Sequence, residues 1–531
     1  MQKPLKAIDI VDHLTIIAII GVAACAVIYF LFFQWLAYQD IWLLAQAYEA
    51  LQGVIDPAPG HGLAHGLADL IAPGITAQDL VAQGLIEPPP LDFRRVLPAM
   101  LSVTVFMYAV YRAVPILEDF WGLKRSRINT DHPLCVYIAI GLWLFFINSI
   151  MIAFGHQLEF GASFPGILEN FFGRYGNDTP HYIAIAQRWY QYTDCSHQRV
   201  IVFFPLYAVL IRIMYFVSPS DMFAAWFVSN AFAFASGVMF YKLAGLLTSE
   251  KEARLAVKFL FILPSAFFLF VPLTESLFLF LSAAVIYYTL KEKYVHVFIF
   301  GLLAALTRSA GVLLIIPVAC EIIRQVVDAY RAECGEYCDA VESADIKEIA
   351  DSDESHRSFA QWITKKELSR FICLTSFLLG IGIYLLINLI VYGSATQFMI
   401  YQEEYWGQTL YFFWHTITYL VDSVLNSGRE WVIGLAFPGV IAFSLALVMT
   451  AIGAKKIRVS LTLYAMAYFI FAFGPTWLMS GPRYAAVLFP IALVAAKIAG
   501  MKKGYNLVLT IAYLTMFALY FHEFMRDNFV F

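Results

Sequence analysis

The stretch YVHVFIFGLLAALTRSAGVLLIIPVACEIIRQV, Tyr294 to Val326, decides how this chain is read. It is apolar apart from His296 near its start, Thr307-Arg308-Ser309 near its middle and the polar residues of its final turns. Read as one helix, it crosses a membrane once and sets every later loop against its charges. Read as two spans, 294–308 and 310–326, broken at Arg308, Ser309 and Gly311, it puts each later loop where its charges place it. Short cytoplasmic loops carry the excess of Lys and Arg, so the two-span reading is the expectation.

The rest of the chain agrees with a membrane setting. Of its 531 residues 61% are hydrophobic and only 14% charged, too few charges for the surface of a soluble protein of this length. Thirty-five Lys and Arg against 39 Asp and Glu provide no basic surface for a nucleic acid, and no nucleic-acid partner is expected. A bilayer core needs about 20 apolar residues per helix, which predicts an all-α polytopic protein with about 13 transmembrane helices. The predicted spans are 12–36, 97–117, 134–156, 222–245, 256–271, 274–290, 294–308, 310–326, 370–392, 431–453, 459–477, 483–500 and 505–525. The first is too long for a signal-peptide core and is read as an uncleaved span.

With the N-terminus inside, all sixteen lysines fall on the cytoplasmic side, while the outer side keeps only arginines among its cations. Four regions follow. Residues 1–133 form a two-span extension with an outer loop, 38–95, rich in Gly, Pro and acids. Residues 134–326 form a core that includes the outer loop 157–221. Residues 327–369 are an acidic cytoplasmic insertion, and 370–531 supply the C-terminal helices. The seven cysteines do not cluster as a disulfide framework, and Cys334 and Cys338 lack the second ligand pair that a zinc site needs. The run Phe203 to Tyr207 with Ile211-Arg212-Ile213 ends without positive charge at Ser218-Pro219-Ser220, and is read as a juxtamembrane helix lying at the outer interface.

Placed by lysines alone, this topology puts the unusual polar residues on one face. Asp178, Glu275, Arg308, Gln402, Glu403, Glu404, Trp406 and Arg483 all fall at outer helix ends or in outer loops, where a charge costs less than at the bilayer centre. Each has an ordinary reading beside the functional one. Asp178, in Asn177-Asp178-Thr179-Pro180-His181-Tyr182, precedes a helix as an N-cap would, and a carboxylate there also serves as a general base if it reaches a substrate hydroxyl. Glu275 sits in a turn, Thr274-Glu275-Ser276, as a second carboxylate. Arg308 and Arg483, the latter beside Tyr484, suit either a bidentate phosphate contact or snorkelling to lipid headgroups. Trp406 fits an interfacial belt equally well.

Taken in order, Asp178-Thr-Pro-His181-Tyr182, Phe203-Phe-Pro-Leu-Tyr207, Thr274-Glu-Ser-Leu-Phe278, Leu306-Thr-Arg308, Gln402 to Trp406 and Gly481-Pro-Arg483-Tyr484 resemble a known set. It is that of the membrane mannosyltransferases that add the second mannose of glycosylphosphatidylinositol anchors, bacterial relatives included. The resemblance covers about 172–490 and implies a core like that of the GT-C superfamily, with outer juxtamembrane helices. It also implies a polyprenyl-phosphate sugar donor, an acceptor hydroxyl on a glycan, lipid or protein, and inversion at the anomeric carbon. Asp178 would be the base, Arg308 and Arg483 the phosphate clamp, and Glu275 an acceptor or metal contact. His181, Tyr182, Gln402, Glu403, Trp406 and Tyr484 would line the substrate site. This chain has Asn177 where the family's motif has Trp. No organic cofactor is implied, and no ligand spacing decides for or against a divalent cation.

The implied location is a multi-pass position in the cytoplasmic membrane of a bacterium, or the endoplasmic reticulum of a eukaryote, with the site facing away from the cytoplasm. A transporter or lipid flippase is the rival reading, and an inert subunit of an assembly a third. A transporter would place ionisable residues midway along broken spans, with symmetric halves, which this pattern lacks.

Overall fold

A computed structural model describes residues 133–158, 164–173, 178–190, 200–218, 220–343, 369–409, 411–427, 436–475 and 480–525. The chain divides into two compact units, 1–135 and 136–531, and nearly all described residues belong to the second. The expected spans 12–36 and 97–117, the outer loop 38–95 and most of the insertion 327–369 lie outside the described residues.

Every regular element among the described residues is a helix. In chain order they are α1 (Pro133–Leu158), α2 (Phe164–Phe172), α3 (Thr179–Arg188), α4 (Pro205–Tyr215), α5 (Asp221–Leu247), α6 (Glu250–Phe261), α7 (Glu275–Leu290), α8 (Tyr294–Ala305) and α9 (Ile315–Ser343). There follow α10 (Thr375–Tyr392), α11 (Gln397–Trp406), α12 (Phe413–Asn426), α13 (Phe437–Gly453), α14 (Val459–Ala472), α15 (Gly481–Ala486), α16 (Pro490–Met501) and α17 (Lys503–Met525). Five helical stretches are long and apolar enough to cross a membrane: Pro133–Ile152, Asp221–Leu247, Ser309–Ala332, Phe371–Tyr392 and Lys503–Met525. Six further apolar helices among the described residues are shorter, from 11 to 16 residues.

The break expected at Arg308 is present. α8 ends at Ala305, Arg308 is extended, and a 3-10 turn from Ser309 to Leu314 leads into α9. The reversal is tight: a Cβ on Gly311 would lie 2.2 Å from the Ala304 carbonyl oxygen, so only glycine fits there. α8 also meets α10 at close range, since a Cβ on Gly380 would come within 2.6 Å of the Ala305 Cβ. Small residues at such contacts let membrane helices approach without a hydrophobic driving force.

The expected span 256–271 is different in kind. α6 stops at Phe261, shortly before Pro264, and the chain runs through a 3-10 turn (Ala266–Leu269) and bends to Glu275. Proline and the residue before it resist helix, and here they end it. Irregular backbone at membrane depth survives only where protein surrounds it, and every residue from 262 to 274 is buried. Neighbouring side chains supply donors that a helix would not need. Ser229 Oγ donates to the Leu273 carbonyl (3.0 Å), Asn230 Nδ2 to that of Phe270 (3.1 Å) and Thr179 Oγ1 to that of Pro272 (3.0 Å). Similarly, the expected span 483–500 is two pieces, α15 and α16, parted before Pro490.

α4 has eleven residues, about 16 Å of helix against a hydrocarbon core of roughly 30 Å, so it cannot cross alone. Its C-terminal end exposes Ile213, Tyr215, Phe216 and Val217 beside Arg212, as the interfacial reading expects.

The two ends of this unit differ chemically. At one, the C-terminal part of α5, α6, the α7–α8 and α13–α14 turns and the α16–α17 junction carry the described lysines, linked by Lys497–Glu252 (3.8 Å), Arg370–Glu292 (3.5 Å) and Arg458–Glu321 (3.0 Å). At the other lie the N-termini of α3 and α7, the turn after α8, and α15.

Candidate functional site

The second end gathers residues far apart in the chain. Asp178 leads into α3 and occupies its N-cap position, with its backbone carbonyl accepting from the amides of His181 (3.1 Å) and Tyr182 (3.3 Å). Its side chain makes no capping bond. Pro180 has no amide to satisfy, so the first turn asks less of a cap. The carboxylate instead accepts from Arg483 Nη1 at 2.5 Å, across 305 residues. The ordinary cap reading of Asp178 therefore fails for the side chain.

Glu275, the first residue of α7, is fully buried and joins two arginines. Its Oε1 accepts from Arg308 Nη1 (2.5 Å) and Arg483 Nε (2.9 Å), while Oε2 is buried and accepts no hydrogen bond. Arg308 Nη1 also donates to Thr274 Oγ1 (3.1 Å), and its guanidinium lies 5.6 Å from the Tyr484 ring centroid. Tyr468, on α14, donates its hydroxyl to the Tyr484 carbonyl (3.2 Å), which ties α14 to α15 beneath the cluster. Two carboxylates and two guanidinium groups thus form one chain, Asp178–Arg483–Glu275–Arg308, neutral in sum.

Apolar packing holds α3 against this chain. His181 stacks on Phe203 at 5.0 Å, and Tyr182 packs edge-on against Phe203 and Tyr207. Tyr207 is anchored in turn by its hydroxyl on the Ala225 carbonyl (2.9 Å) and Ser229 (2.7 Å). Burial, with the negative charge of Asp178 adding to it, raises the Tyr182 phenol above its ordinary range and keeps it protonated. The short α3 and α4 are thereby fixed to the frame of α5 and the irregular 262–274 segment.

Of the residues singled out in the sequence, Asp178, Glu275, Arg308 and Arg483 are joined directly. His181 and Tyr182 adjoin them through α3, and Tyr484 through Arg308. Gln402 and Glu403 belong to a separate helix, α11, which ends at Gly407 with φ 60°. Gln402 Nε2 bonds Gln408 Oε1 (2.7 Å), Glu403 and Glu404 are exposed, and no described hydrogen bond or ion pair ties them to the cluster. The Trp406 side chain is outside the described residues. The sequence reading quoted Thr274 in a turn and a motif without giving it a role, and it overlooked Tyr468. Thr274 adjoins Glu275 and was open to discovery as an arginine acceptor, whereas Tyr468 sits in an apolar run with no local signal.

Among the described residues, no group of three or more His, Cys, Asp or Glu is placed to hold a metal ion. The positive charge between the two carboxylates is supplied by Arg483. In comparison with known proteins, no family model matches the chain, and no curated protein sequence does.

Proposed function

We propose that the protein is a membrane glycosyltransferase that moves a sugar, mannose by the resemblance of its motifs, from a polyprenyl phosphate to an acceptor hydroxyl. The observation that carries this reading is the meeting of Asp178 with Arg483, Glu275 and Arg308 at one end of the helical unit. Such a transfer asks little more of a protein. The acceptor oxygen attacks the anomeric carbon as the bond from that carbon to the phosphate oxygen breaks, and the phosphate departs with the electron pair. Asp178 takes the hydroxyl proton, and the planar forks of Arg308 and Arg483 offset the charge growing on the phosphate. Glu275 holds both forks in place.

The same reading takes the five long helices, the shorter apolar ones other than α4, the segment 256–271 and the two expected spans outside the described residues toward a thirteen-span, GT-C-like arrangement, the lysine end facing the cytoplasm. A reporter after Phe531 should then be extracytoplasmic and one near Glu348 cytoplasmic.

The activity is tested by reconstituting the protein in liposomes with a radiolabelled polyprenyl-phosphate mannose and a mixed glycolipid acceptor fraction. Transfer of label to an acceptor, lost in Asp178→Asn, supports the reading. Binding of donor without transfer to any hydroxyl, together with its movement between leaflets, would replace it with the flippase reading.

A further inference from the structure

The charges of the site are already spoken for. Arg308 and Arg483 together carry two positive charges, Asp178 and Glu275 two negative ones, and each arginine is bonded to a carboxylate at 2.5 Å. A donor phosphate entering this arrangement unchanged would leave a buried site with excess negative charge, which low-dielectric surroundings penalise. For the phosphate to gain a guanidinium partner, one carboxylate must give up its arginine and turn its own charge toward water. Glu275 is ill suited: it is fully buried, sits at the start of a core helix and holds both guanidinium groups on one oxygen. Asp178 is well suited. It is 19% exposed, it is held to Arg483 by one hydrogen bond, and it makes no capping bond that would fix its rotamer. Arg483 can keep Glu275 through Nε while Nη1 changes partner.

Resting on the proposed function, we infer that donor binding and base release are one exchange: the phosphate displaces the Asp178 carboxylate from Arg483 Nη1, and the freed carboxylate becomes the proton acceptor. Only hydrogen bonds change partner in this step. The proton moves later, from the acceptor hydroxyl to the freed carboxylate of Asp178. Asp178 is then both the base and a competitor of the donor, so the carboxylate is engaged by Arg483 until a phosphate arrives. That arrangement ties proton abstraction to the presence of donor.

The consequence runs against the usual effect of deleting a site residue. Farnesyl phosphate, a short polyprenyl monophosphate, is titrated onto the purified full chain in detergent, with uncharged farnesol as the control. Asp178→Asn, which removes the competing charge, should bind farnesyl phosphate roughly tenfold more tightly than wild type, the scale of one charge-assisted hydrogen bond. Arg483→Lys should bind it more weakly, and the gain should vanish in the double variant, because the two residues act through one bond. Asp178→Ser provides the same reading if the Asn variant does not fold. Equal or weaker binding by Asp178→Asn, with Arg483→Lys still weakened, overturns the exchange and leaves the phosphate site standing. A wild-type protein that does not prefer farnesyl phosphate to farnesol overturns the phosphate site and the exchange together.

Discussion

Two buried glutamates, one at each end of the helical unit, are each held by two arginines, and they are built differently. Glu321, at the lysine end, is 3% exposed. Its Oε2 is bonded to Arg458 and to Arg324 one turn along the same helix, and its Oε1 to the Ser460 hydroxyl at 2.6 Å. Both arginines reach solvent, at 48% and 39% exposure. That is a completed tie between α9 and α14. Glu275 also carries both of its arginines on one oxygen, but they are only 15% and 6% exposed, its other oxygen is unbonded, and one arginine is shared with a second acid. A structural ion pair needs none of that surplus. Under the proposed function the contrast assigns chemistry to the Glu275 end and architecture to the Glu321 end, and it can be broken by experiment.

The largest expected effect is on turnover. Asp178→Asn should lower sugar transfer at least about a hundredfold, the scale of a lost general base, while lowering the thermal unfolding midpoint only modestly, because Asn keeps an acceptor for Arg483 and that arginine keeps Glu275. Glu321→Gln should leave transfer within about threefold of wild type. Comparable loss of activity in both would erase the distinction between the two ends.

Stability should split the other way. Glu275→Gln leaves buried Arg308 without a carboxylate and Arg483 with Asp178 alone, so unfolding should become easier by about 3 kcal/mol. Glu321→Gln keeps an acceptor for Ser460 and leaves arginines that water can solvate, so its cost should be about 1 kcal/mol. Denaturant titration of the two variants in one detergent decides it. Equal costs would mean that the solvent-reaching arginines of Glu321 matter as much as the buried ones.

Donor affinity comes next. Arg483→Lys replaces a planar fork by a point charge, and binding of a polyprenyl-phosphate sugar should weaken about tenfold, whereas Arg458→Lys should leave it unchanged. The smallest effects should come from α11. Gln402→Ala and Glu403→Ala should each change stability by about 0.5 kcal/mol or less and transfer by less than about threefold, since neither is bonded to the ion cluster. A large loss of transfer in either would bring α11 back into the site as a substrate contact.

Much of this was legible because it is local. Apolar runs make helices, and Arg308 with Gly311 marks a reversal; each depends on residues within a turn or two of each other. Asp178, Glu275, Arg308 and Arg483 stood out for the same local reason, as charges beside apolar stretches. The span expected at 256–271 misled because its composition is as apolar as a helix requires. What replaced the helix was a set of acceptors and donors supplied from elsewhere, Ser229, Asn230 and Thr179, whose distance from the segment no window of sequence displays.

By itself, the sequence determined that this chain is a set of apolar helices with its lysines segregated from a small group of arginines and acids, because hydrophobicity and charge are properties of residues and their near neighbours. Only the tertiary structure decided which of those charges meet. The Asp178–Arg483 and Glu275–Arg483 bonds close loops of 305 and 208 residues, and they turn an apparent helix cap into an ion-pair partner. α11 stayed apart from them because it hangs on its own turn after α10, although Gln402 and Glu403 look as polar in the sequence as the residues that converge. Convergence of that kind is set by how helices pack, and the packing of α3, α7 and α15 around a buried, non-helical segment is written in no single stretch of the chain.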